Sequence, residues 1–398
     1  MLKGKCIVLG VTGGIAAYKS VELLRLLVKA GAEVHVIMTR GATEFVTPLT
    51  FQTLSCNPVH TDLFNLITEQ EIGHISLADR ADLFVIAPAT ANVIAKIACG
   101  IADDLLTTTV MATKAPVLLA PAMNVNMYEN PIYRENEEKL RRHGYLFAEP
   151  VSGFLACGWE GKGKMQEPSL ILESAAAALS GKDLAGTTVM VTAGPTREEL
   201  DPVRFISNHS SGKMGYALAT CAWRRGARVL LVSGPTALPA PFGVEFTAVE
   251  SAVEMRDAVL ARAGECDVII KAAAVADYRP RERAGDKLKK RGEEMVVELV
   301  KNPDILRELG AVKRPGQLLV GFAAETADLE ANATIKLTEK NLDMIEANDV
   351  SAPGAGFNVD TNIVRLLYRN GTGEALPLLA KEEVAETILD RIVTLRSF

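Results

Sequence analysis

Two segments of the chain carry a glycine-rich turn between an apolar stretch and a helical pattern. The first is KCIVLGVTGGIAAYK, with Gly13 and Gly14 in the turn, and the second is ISNHSSGKMG, which ends in Gly212 and Gly215. Such a turn leaves backbone N–H groups unpaired at a helix N-terminus, where the helix dipole adds about half a positive charge. Phosphate is the ligand that this arrangement favours. The sequence therefore predicts two phosphate-binding sites.

Neither turn has the spacing of a common nucleotide motif. The first lacks G-x-G-x-x-G, and the following strand ends at Thr39 and Arg40 rather than at an acid that would bind a ribose. This disfavours NAD and favours flavin mononucleotide (FMN), although Arg40 leaves NADP as an alternative, and a turn without any ligand is another. In the second, Ser207 occupies the place of the first P-loop glycine and Met214 follows the lysine. It is therefore not a Walker loop.

Apolar runs alternate with helical patterns along the chain, which is typical of parallel, doubly wound α/β sheets. The runs are CIVLG, EVHVIM, DLFVIA, PVLLA and YLFAE, then TTVMVTAG, RVLLVSG, VEFTAV, DVIIKAAA, MVVELV, QLLVGFA and NIVRLLY. Because 398 residues exceed one ordinary core, we predict a flavodoxin-like domain at 1–180, a linker at 181–187 and a Rossmann-like domain at 188–398. The charged segment RPRERAGDKLKKRGEE has few apolar residues and is predicted to form a mobile loop or lid.

Composition favours small-molecule ligands. The net charge of −6 gives no support to a nucleic-acid surface, for which a basic patch is expected. The sequence shows neither a signal-peptide pattern nor an apolar run of the ~20 residues that span a bilayer. The six cysteines have no C-x-x-C spacing, which suits a reducing compartment. We therefore expect a cytoplasmic protein that binds neither membrane nor nucleic acid.

Four strings in the first half, GGIAAYK, APATAN, PAMN and ACGWEGKGKM, resemble the homo-oligomeric flavin-containing cysteine decarboxylases over most of residues 5–166. The resemblance implies an FMN site at a subunit interface, with His74 beside the substrate, Asn124 on the substrate carboxylate and Cys157 as the acid. The implied FMN contacts are Gly13, Gly14, Ile15, Ala16, Thr39, Thr90 and Asn92.

The residue types suit that chemistry. Oxidation of a cysteinyl thiol to a thioaldehyde by the flavin creates an electron sink beta to the carboxylate, so that CO2 can leave. The remaining enethiolate must then be protonated and reduced. A thiol of ordinary pKa ~8.5 can donate that proton near neutrality, and Cys157 lies among glycines, as in a closing flap. Taken singly, His74 could be a helix cap, Asn124 a turn residue and Cys157 a buried apolar side chain.

Seven strings in the second half resemble the phosphopantothenate-cysteine ligase domain from about 188 to 370: TAGPTRE, ISNHSSGKMG, KAAAVADYRP, KLKK, KNPDIL, VGFAAET and KNLDMIEAND. Bacterial members use CTP and form an acyl cytidylate. The resemblance implies CTP contacts at Asp277, Lys287, Pro303, Asp304, Ile305, Leu306, Phe322, Lys336 and Lys340. It also implies a catalytic Asn208, while Lys289 and Lys290 would contact substrate and Mg2+ would bridge phosphate oxygens. Alone, KLKKR would be a solvated basic run.

Together the two halves resemble the bacterial fusion enzymes of coenzyme A biosynthesis. Such an enzyme joins 4'-phosphopantothenate to L-cysteine with CTP and then decarboxylates the product to 4'-phosphopantetheine. The resemblance implies a homo-oligomer with trimeric flavin domains and dimeric ligase domains, a combination compatible with a dodecamer; no residue pattern identifies ligands for the metal. Two alternatives are a non-catalytic flavin-binding regulatory subunit, which the presence of His74, Asn124 and Cys157 disfavours, and an NADP-dependent oxidoreductase.

Overall fold

The computed structural model describes residues 2–63, 73–154, 158–289, 295–325, 329–349, 356 and 359–396. The chain divides into two compact units, Met1–Ser180 and Gly181–Phe398. Each is built around one mainly parallel sheet with helices between its strands, which confirms the predicted α/β class. Within the described residues, none of the helices combines the length and apolar character needed to cross a membrane.

The first unit contains eight strands and nine helices in its described part. The strands are β1 (Cys6–Val11), β2 (Glu33–Met38), β3 (Val59–His60), β4 (Leu83–Ala89), β5 (Val117–Pro121), β6 (Leu146–Phe147), β7 (Val151–Phe154) and β8 (Glu160–Lys164). The helices are α1 (Ala17–Lys29), α2 (Arg40–Thr43), α3 (Pro48–Ser55), α4 (Gly73–Arg80), α5 (Ala91–Cys99), α6 (Leu105–Ala112), α7 (Val125–Tyr128), α8 (Pro131–Arg142) and α9 (Pro168–Leu179).

The first sheet has the order β3-β2-β1-β4-β5-β6, with every pairing parallel. Successive residues of β1 face opposite sides: Ile7 and Leu9 belong to one buried cluster, and Val8 to another. Both faces are apolar because helices cover both. The chain order reverses between β1 and β4, and in such sheets ligands bind at the carboxyl ends of the strands beside this reversal.

The second unit contains fourteen strands and five helices in its described part. The strands are β9 (Thr188–Ala193), β10 (Arg197–Glu199), β11 (Phe205–Ser207), β12 (Arg228–Ser233), β13 (Glu245–Ala248), β14 (Val268–Lys271), β15 (Tyr278–Pro280), β16 (Leu299–Lys301), β17 (Leu318–Glu325), β18 (Met344–Asp349), β19 (Thr361–Asn362), β20 (Val364–Tyr368), β21 (Gly373–Ala375) and β22 (Leu379–Ala380). The helices are α10 (Lys213–Arg224), α11 (Ala252–Ala263), α12 (Ile305–Val312), α13 (Leu329–Glu339) and α14 (Lys381–Arg396).

The second sheet has the order β13-β12-β9-β14-β17-β18-β20-β21. Its pairings are parallel from β13 to β18 and antiparallel beyond, and the chain order reverses between β9 and β14. Segment 181–187 packs onto this unit, because Leu184 is fully buried in its core and Asp183 pairs with Arg225 at 2.5 Å.

Several strands differ from the sequence prediction, and two of these differences bear on the second sheet. MVVELV was expected to join the main sheet, but only Leu299–Lys301 is a strand; it pairs antiparallel with β15 in a separate ribbon, and Val296 is 93% exposed. A parallel neighbour needs a crossover that packs on the sheet, and the charged segment before MVVELV has no apolar face for one. Conversely, β18 was not predicted, because its Glu346 and Asn348 interrupt the apolar pattern of a buried strand.

Candidate active sites

A cavity of about 790 Å³ opens at the carboxyl ends of β1, β2, β4 and β5 in the first unit. It lies beside the reversal of chain order between β1 and β4, where doubly wound sheets bind ligands. Several residues that the sequence analysis selected line it together: Gly13, Gly14, Ile15, Ala16, Thr39, Thr90, Asn92 and Asn124.

The turn after β1 presents backbone donors to this cavity. The N–H groups of Gly13, Ile15 and Ala16 have no recorded acceptor among the residues that the structure describes. A Cβ atom on Gly13 would lie 2.8 Å from the backbone carbon of Gly41, so the close approach of the two loops requires glycine. Thr12 holds the turn in place, since its hydroxyl donates to the Pro88 carbonyl at 2.7 Å. The turn is thus a rigid set of N–H donors, suited to a phosphate.

Two helix caps place side chains at the same rim. Thr90 caps α5, its hydroxyl oxygen accepting from the N–H of Val93 at 3.5 Å, and Asn124 caps α7, its amide oxygen accepting from the N–H of Asn126 at 2.8 Å. The hairpin of β7 and β8 packs against the Asn124 loop, because the Met123 N–H donates to the Gly163 carbonyl at 3.0 Å. This hairpin carries the segment that contains Cys157.

One predicted catalytic residue, His74, lies apart from this arrangement. His74 is the second residue of α4 and is not among the residues that line the cavity. Its Nδ1 is buried and has no hydrogen-bond partner among the described residues. Cys157 lies outside the described residues. One wall of the cavity consists of Ile15, Tyr18 and Phe154, whose exposed fractions are 59%, 60% and 75%.

A second cavity, of about 860 Å³, lies at the carboxyl ends of β14 and β17 in the second unit. The predicted residues that line it are Asn208, Asp277, Pro303, Asp304, Ile305, Leu306, Phe322, Lys336 and Lys340. The N-terminus of α10 also borders it.

Close packing places the N-terminus of α10 there. A Cβ atom on Gly215 would lie 2.6 Å from the Cβ of Ala193 on β9, so only glycine lets the helix approach the strand so closely. Gly212, before the helix, has a φ of +77°, the left-handed region that favours glycine. Asn208 is fixed beside it, its amide donating to the Val275 carbonyl at 3.0 Å. The SSGKMG string therefore serves both packing and the cavity wall.

Sequence reasoning missed Lys271, the last residue of β14. It lines the cavity and is only 7% exposed. Burial, with a smaller contribution from the nearby Lys340, lowers the pKa of its amine to about 7, and Asp304 opposes that shift. Two signals were available in the sequence: a lysine in the otherwise apolar run DVIIKAAA, and its place as the first residue of the string KAAAVADYRP.

A group of polar side chains on β18 and β19 was also missed. Glu346 is 1% exposed, and burial raises the pKa of its carboxyl to about 8, which Lys381 partly counteracts. Asn362 donates to Glu346 at 3.5 Å, while the amide oxygens of Asn348 and Asn362 are buried without a partner among the described residues. Lys381 lines the cavity together with Glu346, Asn348 and Asn362. Its inner wall therefore offers acceptors to a ligand with N–H or O–H groups.

The predicted lysine loop lies outside the cavity lining. Lys287 and Lys289 are exposed, and Lys290 falls outside the described residues. The adjacent backbone is anchored, since the Leu288 N–H donates to Asp201 at 3.1 Å and the Leu288 carbonyl accepts from Arg204 at 2.8 Å. Among the described residues there is no cluster of three or more His, Cys, Asp or Glu side chains that could hold a metal ion.

The fold and the two cavities define a protein class, an α/β chain of two units with one cavity at the carboxyl edge of the main sheet in each unit. The family model Flavoprotein matches residues 1–180, and the model of the DNA/pantothenate metabolism flavoprotein C-terminal domain matches 184–395. The chain is 52% identical to the coenzyme A biosynthesis bifunctional protein CoaBC of Bacillus subtilis (strain 168), over 99% of this chain and 98% of that protein. It is 49% identical to the protein of the same name from Escherichia coli (strain K12), over 99% and 98%.

The chain therefore belongs to the family of bifunctional coenzyme A biosynthesis proteins. This confirms the predicted family and the predicted enzyme class, a decarboxylase fused to a ligase, with a flavoprotein-type first unit. Among solved structures, it is similar to the C-terminal domain of coenzyme A biosynthesis bifunctional protein CoaBC, with 48% identity and a TM-score of 0.47 over 54% of this chain and 98% of that one.

Proposed function

We propose that the second unit joins 4'-phosphopantothenate to L-cysteine at the expense of CTP, and that the first unit decarboxylates the product to 4'-phosphopantetheine with bound FMN. The observation that carries this proposal is that each unit has a ligand-sized cavity at the carboxyl edge of its sheet, lined by residues that the family resemblance assigns to these ligands. The corresponding domains are 1–180 and 188–398, joined by 181–187.

The first cavity fits FMN in volume and in donors. The N–H groups of Gly13, Ile15 and Ala16 would bind its phosphate, and the apolar wall formed by Ile15 and Met123 would face its ring. FMN would supply the two-electron oxidation of the substrate thiol that makes loss of CO2 feasible, and its reduced form would return the two electrons to the decarboxylated product. The amide of Asn124, oriented by its helix cap, would hold the substrate carboxylate, and the Cys157 thiol would return a proton to the product.

A homo-oligomer would explain two observations that one protomer alone does not explain. His74 does not line the cavity of its own chain, yet its Nδ1 is buried without a partner among the described residues. The cavity also has an exposed apolar wall at Ile15, Tyr18 and Phe154. In trimeric flavin domains a second copy would cover that wall and bring His74 to the substrate. We propose this trimer together with dimeric ligase domains.

In the second unit the proposed chemistry needs cations, because a triphosphate, a carboxylate and a substrate phosphate meet in one place. Lys336 and Lys340 line the cavity, and Lys287, Lys289 and Lys290 would add charge from the adjacent loop, with Mg2+ bridging phosphate oxygens. Asn208, held on the Val275 carbonyl, would orient the acyl cytidylate for attack by the cysteine amine.

The test supplies the full chain with phosphopantothenate, cysteine, CTP and Mg2+ and follows 4'-phosphopantetheine by mass spectrometry. We expect Cys157→Ser and His74→Asn to stop at phosphopantothenoylcysteine or an oxidised, decarboxylated intermediate, and Lys287→Gln to block formation of the first product. If Cys157→Ser forms product at the parental rate, the assignment of Cys157 as the acid is wrong. A colourless protein that retains NADP would refute the flavin proposal and favour the oxidoreductase.

A further inference from the structure

Lys271 carries a buried amine that lines the second cavity. It ends β14 and is 93% removed from solvent, and no hydrogen bond or ion pair of its side chain is recorded with any residue that the structure describes. Buried lysines normally extend the amine to water or bind a carboxylate. Lys313, another buried lysine of this unit, illustrates the usual solution, because its amine bonds to Asp343 at 2.5 Å and to the Asn341 carbonyl at 3.3 Å.

The groups around Lys271 leave its charge without compensation. Asp304, the cap of α12, is the nearby carboxylate, but it already binds Lys340 at 3.0 Å. Lys271 and Lys340 therefore share one nearby carboxylate. Burial and Lys340 accordingly keep the pKa of the Lys271 amine near 7, so that much of it is neutral while the cavity holds no anion.

We propose that Lys271 is a further nucleotide contact, whose amine donates to a phosphate oxygen of the nucleotide and takes up a proton when the nucleotide binds. This inference rests on the proposed nucleotide-dependent ligase function and adds to it a residue that lies outside both glycine-rich turns. A phosphate oxygen would be the hydrogen-bond acceptor that the Lys271 amine lacks among the described residues. A charge-assisted hydrogen bond of this kind in a buried site is stronger than a neutral one. The proton comes from solvent, and no covalent bond changes.

Calorimetric titration of the full chain with CTP and Mg2+ tests the inference, in two buffers of different ionisation enthalpy at about pH 7.5. The parent should take up more than half a proton per nucleotide beyond the uptake of Lys271→Met, since an amine of pKa about 7 is mostly neutral at that pH. Lys271→Met should raise the Kd of CTP by about 10- to 100-fold. Lys271→Arg, always charged, should retain more affinity than Lys271→Met and should lack the proton uptake.

Lys182→Met is the matched control. Lys182 is an exposed residue whose amine is partly desolvated, which also lowers its pKa, but this amine bonds to the Arg224 carbonyl at 2.6 Å and does not line the cavity. This variant should bind CTP as the parent does. If Lys271→Met binds CTP with parental affinity, the inference is wrong while the ligase function stands. If cytidine loses as much affinity as CTP, the contact is not to phosphate and the inference is again wrong.

A failure of the proposed function gives a different result. If the parent does not bind CTP, the nucleotide assignment fails, and ATP, GTP, UTP and inorganic triphosphate are titrated instead. The inference then holds if Lys271→Met weakens the anion that does bind, and it falls if that anion binds equally well. Absence of binding by all of these anions overturns both proposals.

Discussion

Replacement of Glu346 by glutamine should stabilise the second unit at alkaline pH and leave its stability in mild acid nearly unchanged. Glu346 lies on β18 with 1% of its surface exposed, and burial raises the pKa of its carboxyl from an ordinary 4.5 to about 8. The folded protein therefore keeps a proton on this carboxyl at neutral pH, whereas the unfolded chain releases it. Glutamine preserves the shape of the protonated acid and cannot ionise.

The sign and size follow from proton linkage. Between pH 4.5 and about 8 the folded state binds one more proton than the unfolded state at this residue, so the free energy of unfolding falls by about 1.4 kcal/mol for each pH unit. The stabilisation is complete below the unfolded pKa and is lost as pH rises through the folded pKa. Relative to Glu346→Gln, the free energy of unfolding of the parent should fall by about 4 kcal/mol between pH 5 and pH 8.

The assay is urea unfolding at several pH values, read by the fluorescence of Trp223. This residue lies in the second unit and packs against Phe242 with ring centroids 5.2 Å apart, and the sequence has only two tryptophans. A Trp159→Phe background therefore isolates the signal of the second unit. Glu374→Gln is the control of opposite sign, because Arg391 holds the pKa of that carboxyl low. A parent-to-variant difference that does not change with pH would refute the assignment of Glu346.

Three further predictions rest on packing and charge. Gly13→Ala should lower the flavin content of the purified protein, measured by absorbance, because the new Cβ would lie 2.8 Å from the Gly41 backbone; parental flavin content would contradict this. Gly215→Ala should raise the Kd of CTP at least tenfold by displacing α10 from β9, whereas Gly285→Ala, with no atom within 4 Å of its Cβ, should not; equal effects would contradict the packing argument. Lys313→Met should destabilise the second unit by about 1–3 kcal/mol in the Trp223 assay, because Asp343 would keep only the Leu319 N–H and the more distant Arg369 as partners; an unchanged midpoint would contradict this.

The sequence was sufficient for the fold class because most strands of both sheets are near-continuous apolar runs, which parallel sheets covered on both faces require. It was insufficient where a strand breaks that rule. β18 carries Glu346 and Asn348, and MVVELV has the right composition but lacks a crossover that would place it in the sheet. Both depend on tertiary packing, which a local pattern does not contain.

The same limit applies to the sites. Glycine turns are visible in sequence because a close backbone approach excludes every other residue, as Gly13 and Gly215 illustrate. Lys271 is not visible in this way, since a lysine within an apolar run is as compatible with a strand end in solvent as with a buried amine. The neighbours that decide between these, Asp304 and Lys340, lie more than 30 residues away in the chain.

Lys271 and Glu346 are neutralised separately because the sheet keeps them apart. Lys271 pairs in register with Gly321 of β17, and Glu346 with the next residue, Phe322. Since consecutive strand residues face opposite sides, the amine lies on the face covered by α12 and α13, and the carboxyl on the other. An ion pair is thereby excluded, and burial moves the pKa of each group toward its neutral form. A ligand at the carboxyl edge of the sheet can meet both, with its anionic groups at Lys271 and its N–H or O–H donors at Glu346.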